Sequence, residues 1–399
     1  MDGSFWAGWF GTSTWTGKSV THQSALNISA WWRCTKLYAE VAGSLPLKFY
    51  ERSEGDERRA VPEHEIARII ASDPNDELTS WEFWGAHAAA LCTGGNAYAE
   101  KGFAGDRLVR LDPISPEFIQ PYREPDGILR YKLWDRGKEE LLPAEKIFHT
   151  RGFSFTGDVG LSPLAYARQT LGIALATEES TGRAFSQGMR ASGIFTLPET
   201  MTPEQRKQFK ENYIAPAEGT ENEGRSLVLP PGFKWQPVSI APKDAEMLLS
   251  RRFNVEDVCR WMGVPPILAG HASEGQTMWG SGVEQIMLAW LALGLDSFLS
   301  SIERSVNKRL LSPVERVRYY AEYDRNGLLR ADSTARGEYI SKMISSAQMT
   351  PNEGRKKDNL PPKEGGDQLL VNSTLVPLVM AGQRPGHVQP APGEPIPED

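Results

Sequence analysis

Apolar side chains recur along residues 24–42 at the spacing of one helix face. Leu26, Ala30, Trp31, Cys34, Leu37, Tyr38 and Val41 follow i, i+3, i+4 intervals, with Ser24 placed to cap the first turn. A strand is predicted over 45–50, a charged turn over 51–59, and a short helix over 63–71 that stops at Asp73-Pro74. A second helix over 80–92 ends at Gly94-Gly95, where the absence of Cβ permits a left-handed cap. Residues 96–101, 107–112, 118–122 and 128–134 then read as strands punctuated by proline and glycine. Residues 24–155 together read as one α+β unit.

The pattern lengthens after Gly160-Leu161-Ser162-Pro163, where Ser162 caps and Pro163 starts a helix over 164–188 that Gly172 and Gly182 weaken only locally. Residues 192–242 change composition: a strand over 193–196, a helix over 203–212, a Gly/Glu loop, then strands over 226–229 and 233–237. A helix over 242–262 returns, with Met247, Leu248, Phe253, Val258 and Trp261 apolar. Two long helices flanking a small insert make a stalk that carries a head. Residues 263–280 form a loop, followed by a helix over 283–311 whose apolar side chains change face around Gly294. A strand over 317–323 precedes helical segments over 330–346 and 350–359, the latter entered through Thr350-Pro351-Asn352-Glu353. The Pro/Gly-rich tail is expected to be disordered. At the other end, Phe5, Trp6, Trp9, Phe10 and Trp15 stand among Gly, Ser and Thr as an irregular aromatic arm.

Composition narrows the class without naming it. The 399 residues suffice for two or three folded units. The three cysteines, Cys34, Cys92 and Cys259, are odd in number and lack a CxxC pair, which argues against a disulfide framework or a structural zinc site. No apolar run approaches the roughly 18 residues of a membrane span, and the start Met1-Asp2-Gly3-Ser4-Phe5-Trp6 lacks the pattern of a signal peptide. A net charge of -7 is wrong for a surface that grips nucleic acid throughout, because phosphate neutralisation supplies most of that affinity.

The search for chemistry rejects more than it finds. Five residues lie between Gly11 and Gly17 of Gly11-Thr12-Ser13-Thr14-Trp15-Thr16-Gly17-Lys18-Ser19, where a phosphate loop needs four, and no apolar strand precedes them. A P-loop nucleotidase using Lys18 and Ser19 is therefore the weaker alternative. The six histidines are scattered without metal-ligand spacing, and His149, after Ile147-Phe148, reads as a structural hydrogen-bonding group. Ser162 lacks the second glycine of a nucleophile elbow. No catalytic, metal or cofactor residue is assigned.

Several landmarks, in order, resemble the portal family of phages with the HK97-type capsid. They are the 31–41 helix running into Leu45-Pro46-Leu47; Gly94-Gly95-Asn96-Ala97-Tyr98; Leu111-Asp112-Pro113-Ile114; and Ile147-Phe148-His149. Gly160-Leu161-Ser162-Pro163-Leu164 follows, with Phe185, Gly188 and Ser192-Gly193 at the far end of its helix. Further on come Arg252-Phe253, Gly263-Val264-Pro265-Pro266, Thr350-Pro351-Asn352-Glu353-Gly354-Arg355 and Gly365-Gly366-Asp367. The family often has an aromatic residue where this chain has Met262, with Trp261 one place earlier.

The resemblance implies an α+β portal fold: an aromatic arm (1–23), a wing (24–159), a first stem helix (160–191), a clip (192–242) and a second stem helix (243–266). A tunnel loop (267–282), a tunnel helix with a return to the wing (283–329), a crown (330–372) and a disordered tail (373–399) complete it. It further implies a non-enzymatic, dodecameric head-tail connector in the virion, at the capsid vertex, assembled in the host cytoplasm. DNA would pass the tunnel-loop residues His271, Ser273, Glu274, Gln276 and Thr277. Glu204, Lys207, Lys210, Glu218, Glu221 and Arg225 of the clip would meet the terminase large subunit and later the head-completion adaptor. The major capsid protein would surround the wing, with no membrane and no cofactor involved. Another structural head-tail connector is the nearer alternative.

Overall fold

The computed structural model describes residues 14–52, 58–135, 137–186, 193–196, 202–214, 234–237, 243–271, 281–325, 333–357 and 360–370. The aromatic residues at positions 5–10, the strand expected over 226–229 and the Pro/Gly-rich tail lie outside them. The chain divides into two units, Met1–Asp324 and Arg325–Asp399.

In the first unit, α1 (His22–Ala25) and α2 (Ser29–Ser44) replace the single helix expected over 24–42. Thr21 supplies the cap of α1, its hydroxyl accepting from Ser24 N while the Ser24 hydroxyl accepts from Thr21 N. One face of α2 carries the buried Trp31, Cys34 and Tyr38 and packs along α4 (Ser80–Gly94), a helix closed at its start by a Thr79–Glu82 capping box. Between them in sequence come β1 (Leu47–Arg52), β2 (Arg58–Ala60) and α3 (Glu65–Ala71), which packs on β1. The expected charged turn therefore contains a strand, β2. Its side chains are all exposed, so no apolar alternation announces it.

Three antiparallel strands follow the helices: β3 (Asn96–Ala104) lies between β4 (Arg107–Ile114) and β8 (Ile147–Arg151). A second antiparallel sheet is β5 (Ile119–Arg123), β6 (Leu129–Asp135) and β7 (Lys138–Pro143). Tyr98, Ile119, Tyr131, Leu142 and Ile147 fuse the two in one core. Strand β7 went unread in the sequence because its first four residues are exposed.

The helix expected over 164–188 is α5 (Pro163–Tyr166) and α6 (Arg168–Ser186), joined through Ala167. Ser162 caps it, accepting from Ala165 N. In the insert, β9 (Gly193–Thr196) pairs antiparallel with β10 (Lys234–Pro237), and α7 (Pro203–Phe209) runs into a π-helical turn, Lys210–Ile214. Helix α8 (Lys243–Met262) packs against both α6 and α2. The final helical pair is α9 (Ser281–Trp290) and α10 (Asp296–Arg309), linked by a π-helical turn, Leu291–Leu295, around Gly294.

The span Gln285–Arg309 is long and apolar enough to cross a membrane by length and composition. That corrects the expectation that no segment approaches such a span. Its second half has another reason to be apolar: Leu295, Leu299, Ile302 and Val306 are buried, and α10 packs on β8 and on β11 (Tyr319–Tyr323). A one-turn helix, α11 (Glu315–Arg318), occupies the start of the strand expected over 317–323. β11 then pairs antiparallel with β1, Leu47 opposite Tyr323 and Glu51 opposite Tyr319.

The second unit contains α12 (Ser333–Ser345) and α13 (Pro351–Lys357). Thr350 and Glu353 cap α13 reciprocally. Asn352 ties its motif to Gly365-Gly366-Asp367. Its amide donates to Lys363 O and Asp367 Oδ1, its Oδ1 accepts from Lys363 N, and its own N donates to Gly366 O. A Cβ on Gly366 would sit 2.4 Å from Asn352 Oδ1.

Candidate functional site

Two constructions in the first unit hold the elements that the sequence marks for function. The first joins the strands to the α5–α6 helix. Asn96, at the start of β3, is buried with its amide donating to Gly160 O at 2.8 Å and Gly94 O at 3.2 Å. Its Oδ1 accepts from Gly160 N at 2.8 Å and faces His149 Nε2 at 3.0 Å. Since that oxygen can only accept, the imidazole carries its proton on Nε2, which leaves Nδ1 to accept from the Tyr131 hydroxyl at 3.0 Å. Burial, reinforced by Arg151 and Arg309, holds the His149 pKa well below its ordinary value, so the ring is neutral.

Close approach requires glycine here. Gly95 adopts φ +71, and a Cβ on Gly160 would lie 1.9 Å from Gly95 O. Three separate landmarks, Gly94-Gly95-Asn96, Ile147-Phe148-His149 and Gly160-Leu161-Ser162, are thus parts of one joint. Beside it His87, stacked on Phe148 at 5.1 Å between centroids, meets Thr150 Oγ1 at 2.8 Å. Burial lowers its pKa to about 3.

The second construction forms the base of the loop after α8. Gly263 closes the helix in the left-handed region (φ +64), Val264 N donates to Cys259 O, and Pro266–Ala269 forms a 3-10 turn. The Tyr38 hydroxyl donates to Met262 O at 3.1 Å, and Trp290 Nε1 donates to Gly263 O at 3.0 Å. Tyr38 also packs edge-on against Trp290 at 5.9 Å and against Phe298 at 4.6 Å. Burial pushes its pKa up to about 12, keeping it a donor. A Cβ on Gly294 would sit 3.0 Å from the Trp290 ring, so this glycine makes room for the indole inside the π turn. Below, Cys34 and Cys259 bring their sulfurs to 3.9 Å across the α2–α8 contact. The hydrogen bond to Cys259 and burial hold the Cys34 thiol far above its usual range.

Of the residues expected to face a channel, His271 is described. Its N donates to Pro266 O, and its Nε2 lies 3.6 Å from Glu256 Oε1 of α8. Ser273, Glu274, Gln276 and Thr277 lie outside the described residues. In the insert, Glu204, Lys207 and Lys210 are exposed on α7 and the turn after it. Glu218, Glu221 and Arg225 lie outside the described residues. Sequence reasoning passed over Tyr38 and Trp290. The signal available for Trp290 was a glycine four residues later in an apolar helix, the spacing that lets an indole lie back along its own helix.

Lys18, the lysine of the imperfect phosphate-loop motif, is ion-paired with Glu179 of α6. Its turn is closed by Thr14 N donating to Lys18 O. Among the described residues no group of three or more His, Cys, Asp or Glu side chains is gathered as metal ligands.

The sequence model of the family described as phage portal protein matches residues 29–359. The portal protein of Enterobacteria phage HK97 is 36% identical over 369 residues, covering 91% of this chain and 86% of the relative. The probable portal protein of Streptomyces phage phiC31 is 27% identical over 373 residues, covering 91% and 80%. Among solved structures, an HK97 family phage portal protein from Corynebacterium diphtheriae superposes with a TM-score of 0.58 at 17% identity, covering 79% of this chain and 100% of that one. A chain from the neck of a native gene transfer agent particle, computed with C12 symmetry, gives 0.56 at 19% identity, covering 86% and 94%.

Proposed function

The chain belongs to the phage portal protein family, and from that premise we propose that it assembles as a dodecameric ring at one capsid vertex and conducts double-stranded DNA without catalysing a reaction. The observation that carries this reading is the clamped base of the loop after α8. Tyr38 and Trp290 fix the backbone on the near side, through Met262 O and Gly263 O. Trp290 is itself the last residue of α9, the helix that leaves the loop. A loop anchored in this way can present residues 271–277 toward a moving duplex while its near end stays put. Weak contacts without fixed positive charge suit that task, because each strong phosphate contact would retard sliding. His271, Ser273, Glu274, Gln276 and Thr277 are a set of this kind, carrying one carboxylate and no lysine or arginine.

In this reading residues 24–159 with the returning β11 form the wing beside the major capsid protein, α5–α6 and α8 the stem, and residues 192–242 the clip. The exposed Glu204, Lys207 and Lys210, with Glu218, Glu221 and Arg225, offer a mixed-charge face to the terminase large subunit during packaging and to the head-completion adaptor afterwards. Residues 330–372 form the crown. The particle is a virion or a gene transfer agent, and assembly takes place in the host cytoplasm. The Lys18–Glu179 pair favours a structural turn over a nucleotide site, since it commits the lysine to a carboxylate.

Electron microscopy of the purified full chain, with and without scaffold and capsid protein, tests the proposal. Twelve-fold rings with an axial channel are expected. Persistent monomers in both conditions would overturn it, and rings formed by a chain truncated at residue 191 would favour a simpler connector.

A further inference from the structure

The face of α5–α6 beside the N-terminal turn is apolar and uncovered. Tyr166, Gln169, Thr170 and Ile173 follow i, i+3, i+4, i+7 spacing and so share one side of the helix. Tyr166 is 58% exposed and Ile173 44%, and two tryptophans bracket them, Trp15 at 87% and Trp261 at 44%. Both brackets are fixed through this same face: Trp15 N donates to Gln169 Oε1, and Trp261 Nε1 donates to Thr170 Oγ1. Four exposed apolar side chains gathered around two polar anchoring contacts mark a docking site.

Where the N-terminal chain arrives identifies the occupant. Thr14 is pressed against α6 so closely that a Cβ on Gly172 would lie 2.6 Å from its side chain, and the Thr16 hydroxyl donates to Gly172 O. Thr14, the first described residue, therefore stands at the edge of this face. Four chain steps lead from Phe10 to Thr14, a reach of roughly 14 Å in extended chain, and Tyr166 to Ile173 spans about 10 Å of helix. Phe5, Trp6, Trp9 and Phe10 are the aromatic side chains ahead of Thr14. We propose that residues 5–10 fold back onto the Trp15–Tyr166–Ile173–Trp261 strip of their own chain and cover it. The tether raises the local concentration of the arm at that strip above that of any separate partner. Docked there, the arm brackets the start of the stem and couples the N-terminus to the α6–α8 contact.

A photo-reactive p-benzoylphenylalanine at position 10 of the full chain tests this, in a mixture of isotopically light and heavy subunits. Cross-linked peptides should join position 10 to residues 163–183 or 253–262, in same-isotope pairs. An Ile173→Glu substitution, at a half-exposed position that leaves the fold intact by circular dichroism, should abolish the cross-link. Mixed-isotope pairs would show that a neighbouring copy's arm is the occupant and overturn the proposal. Cross-links elsewhere, or none, would overturn it as well. As an independent readout, replacing Phe5, Trp6, Trp9 and Phe10 together by serine should increase hydroxyl-radical labelling of Tyr166, and an unchanged rate would overturn it.

Discussion

His149 and Asn96 are hydrogen-bonded through Nε2 and Oδ1 at 3.0 Å, in a pocket where both side chains are almost wholly buried. The same Oδ1 accepts from Gly160 N, and the same amide donates to Gly160 O. One carboxamide therefore ties the strand core to the helix start. Asn96→Ala leaves the backbone of Gly160 and the imidazole without their partners in a dry site, so a loss of about 3 kcal/mol is expected. Tyr131→Phe removes only the outermost bond of the chain, at about 1 kcal/mol. Urea denaturation of the two variants checks both the size and the order of the losses.

Glycine 160 provides a sharper contrast. Gly160→Ala would drive a methyl group into Gly95 O, backbone against backbone, and is expected to prevent the joint from forming. Gly182→Ala, in a helix with nothing within 4 Å of the added carbon, should stabilise by up to about 1 kcal/mol. Soluble yield and thermal midpoint distinguish the two outcomes.

Acid should loosen the strand unit early. His87, at about 3, and His149 both have folded pKa values below the ordinary value, which is about 6.5 for an unfolded histidine. Above that pH neither the folded nor the unfolded state carries the proton, and nothing is lost. As the pH falls through ~6.5 only the unfolded chain gains it, so stability drops by about 1.4 kcal/mol per pH unit for each histidine. Between pH 7.5 and 5 the pair accounts for about 4 kcal/mol. Burial also lowers His22 to about 4, so denaturation curves across this window should show at least that slope, and His87→Asn should reduce it by one proton's worth.

At the loop base, Trp290→Phe and Tyr38→Phe each delete one hydrogen bond to the backbone that leads into the loop. Each is expected to cost about 1 kcal/mol. Since the two rings also touch, the double variant should depart from additivity. Hydrogen exchange over residues 259–271 should accelerate in both single variants, and protection unchanged from the parent chain would count against the clamp.

Lys18→Ala breaks a half-exposed ion pair and should change stability by no more than about 1 kcal/mol. Phosphate release from ATP should stay at the buffer level in parent and variant alike.

The elements built by local rules are legible in the sequence. The helix expected over 80–92 shows its closing Gly-Gly, and the joint at Ser162-Pro163 shows a cap followed by a residue suited to a first turn. The partnerships are less legible. Nothing in residue spacing brings Cys34 within 3.9 Å of Cys259, because that contact depends on how α8 lies against α2. His149 reads as structural from its place behind an apolar pair, yet its partners sit on a strand start and on a neighbouring sheet. β2 and β7 were missed for a simpler reason: most of their side chains face solvent, which erases the two-residue alternation that marks a half-buried strand. The landmarks shared with the family identified the parts that later meet, without showing that they meet.

The pairing of β1 with β11 sets a schedule for biosynthesis. Glu51 and Arg318, partners across that edge, stand 267 residues apart, and Lys48 and Asp324 stand 276 apart. At roughly 5–20 residues per second, β1 leaves the ribosome tens of seconds before its neighbour exists. Throughout that interval one side of it is an unpaired edge, and its alternating charges, Lys48, Glu51 and Arg52, discourage a neighbouring nascent chain from taking the place of β11. The order of synthesis thus places α5, α6, α8 and α10 ahead of the closure of that sheet.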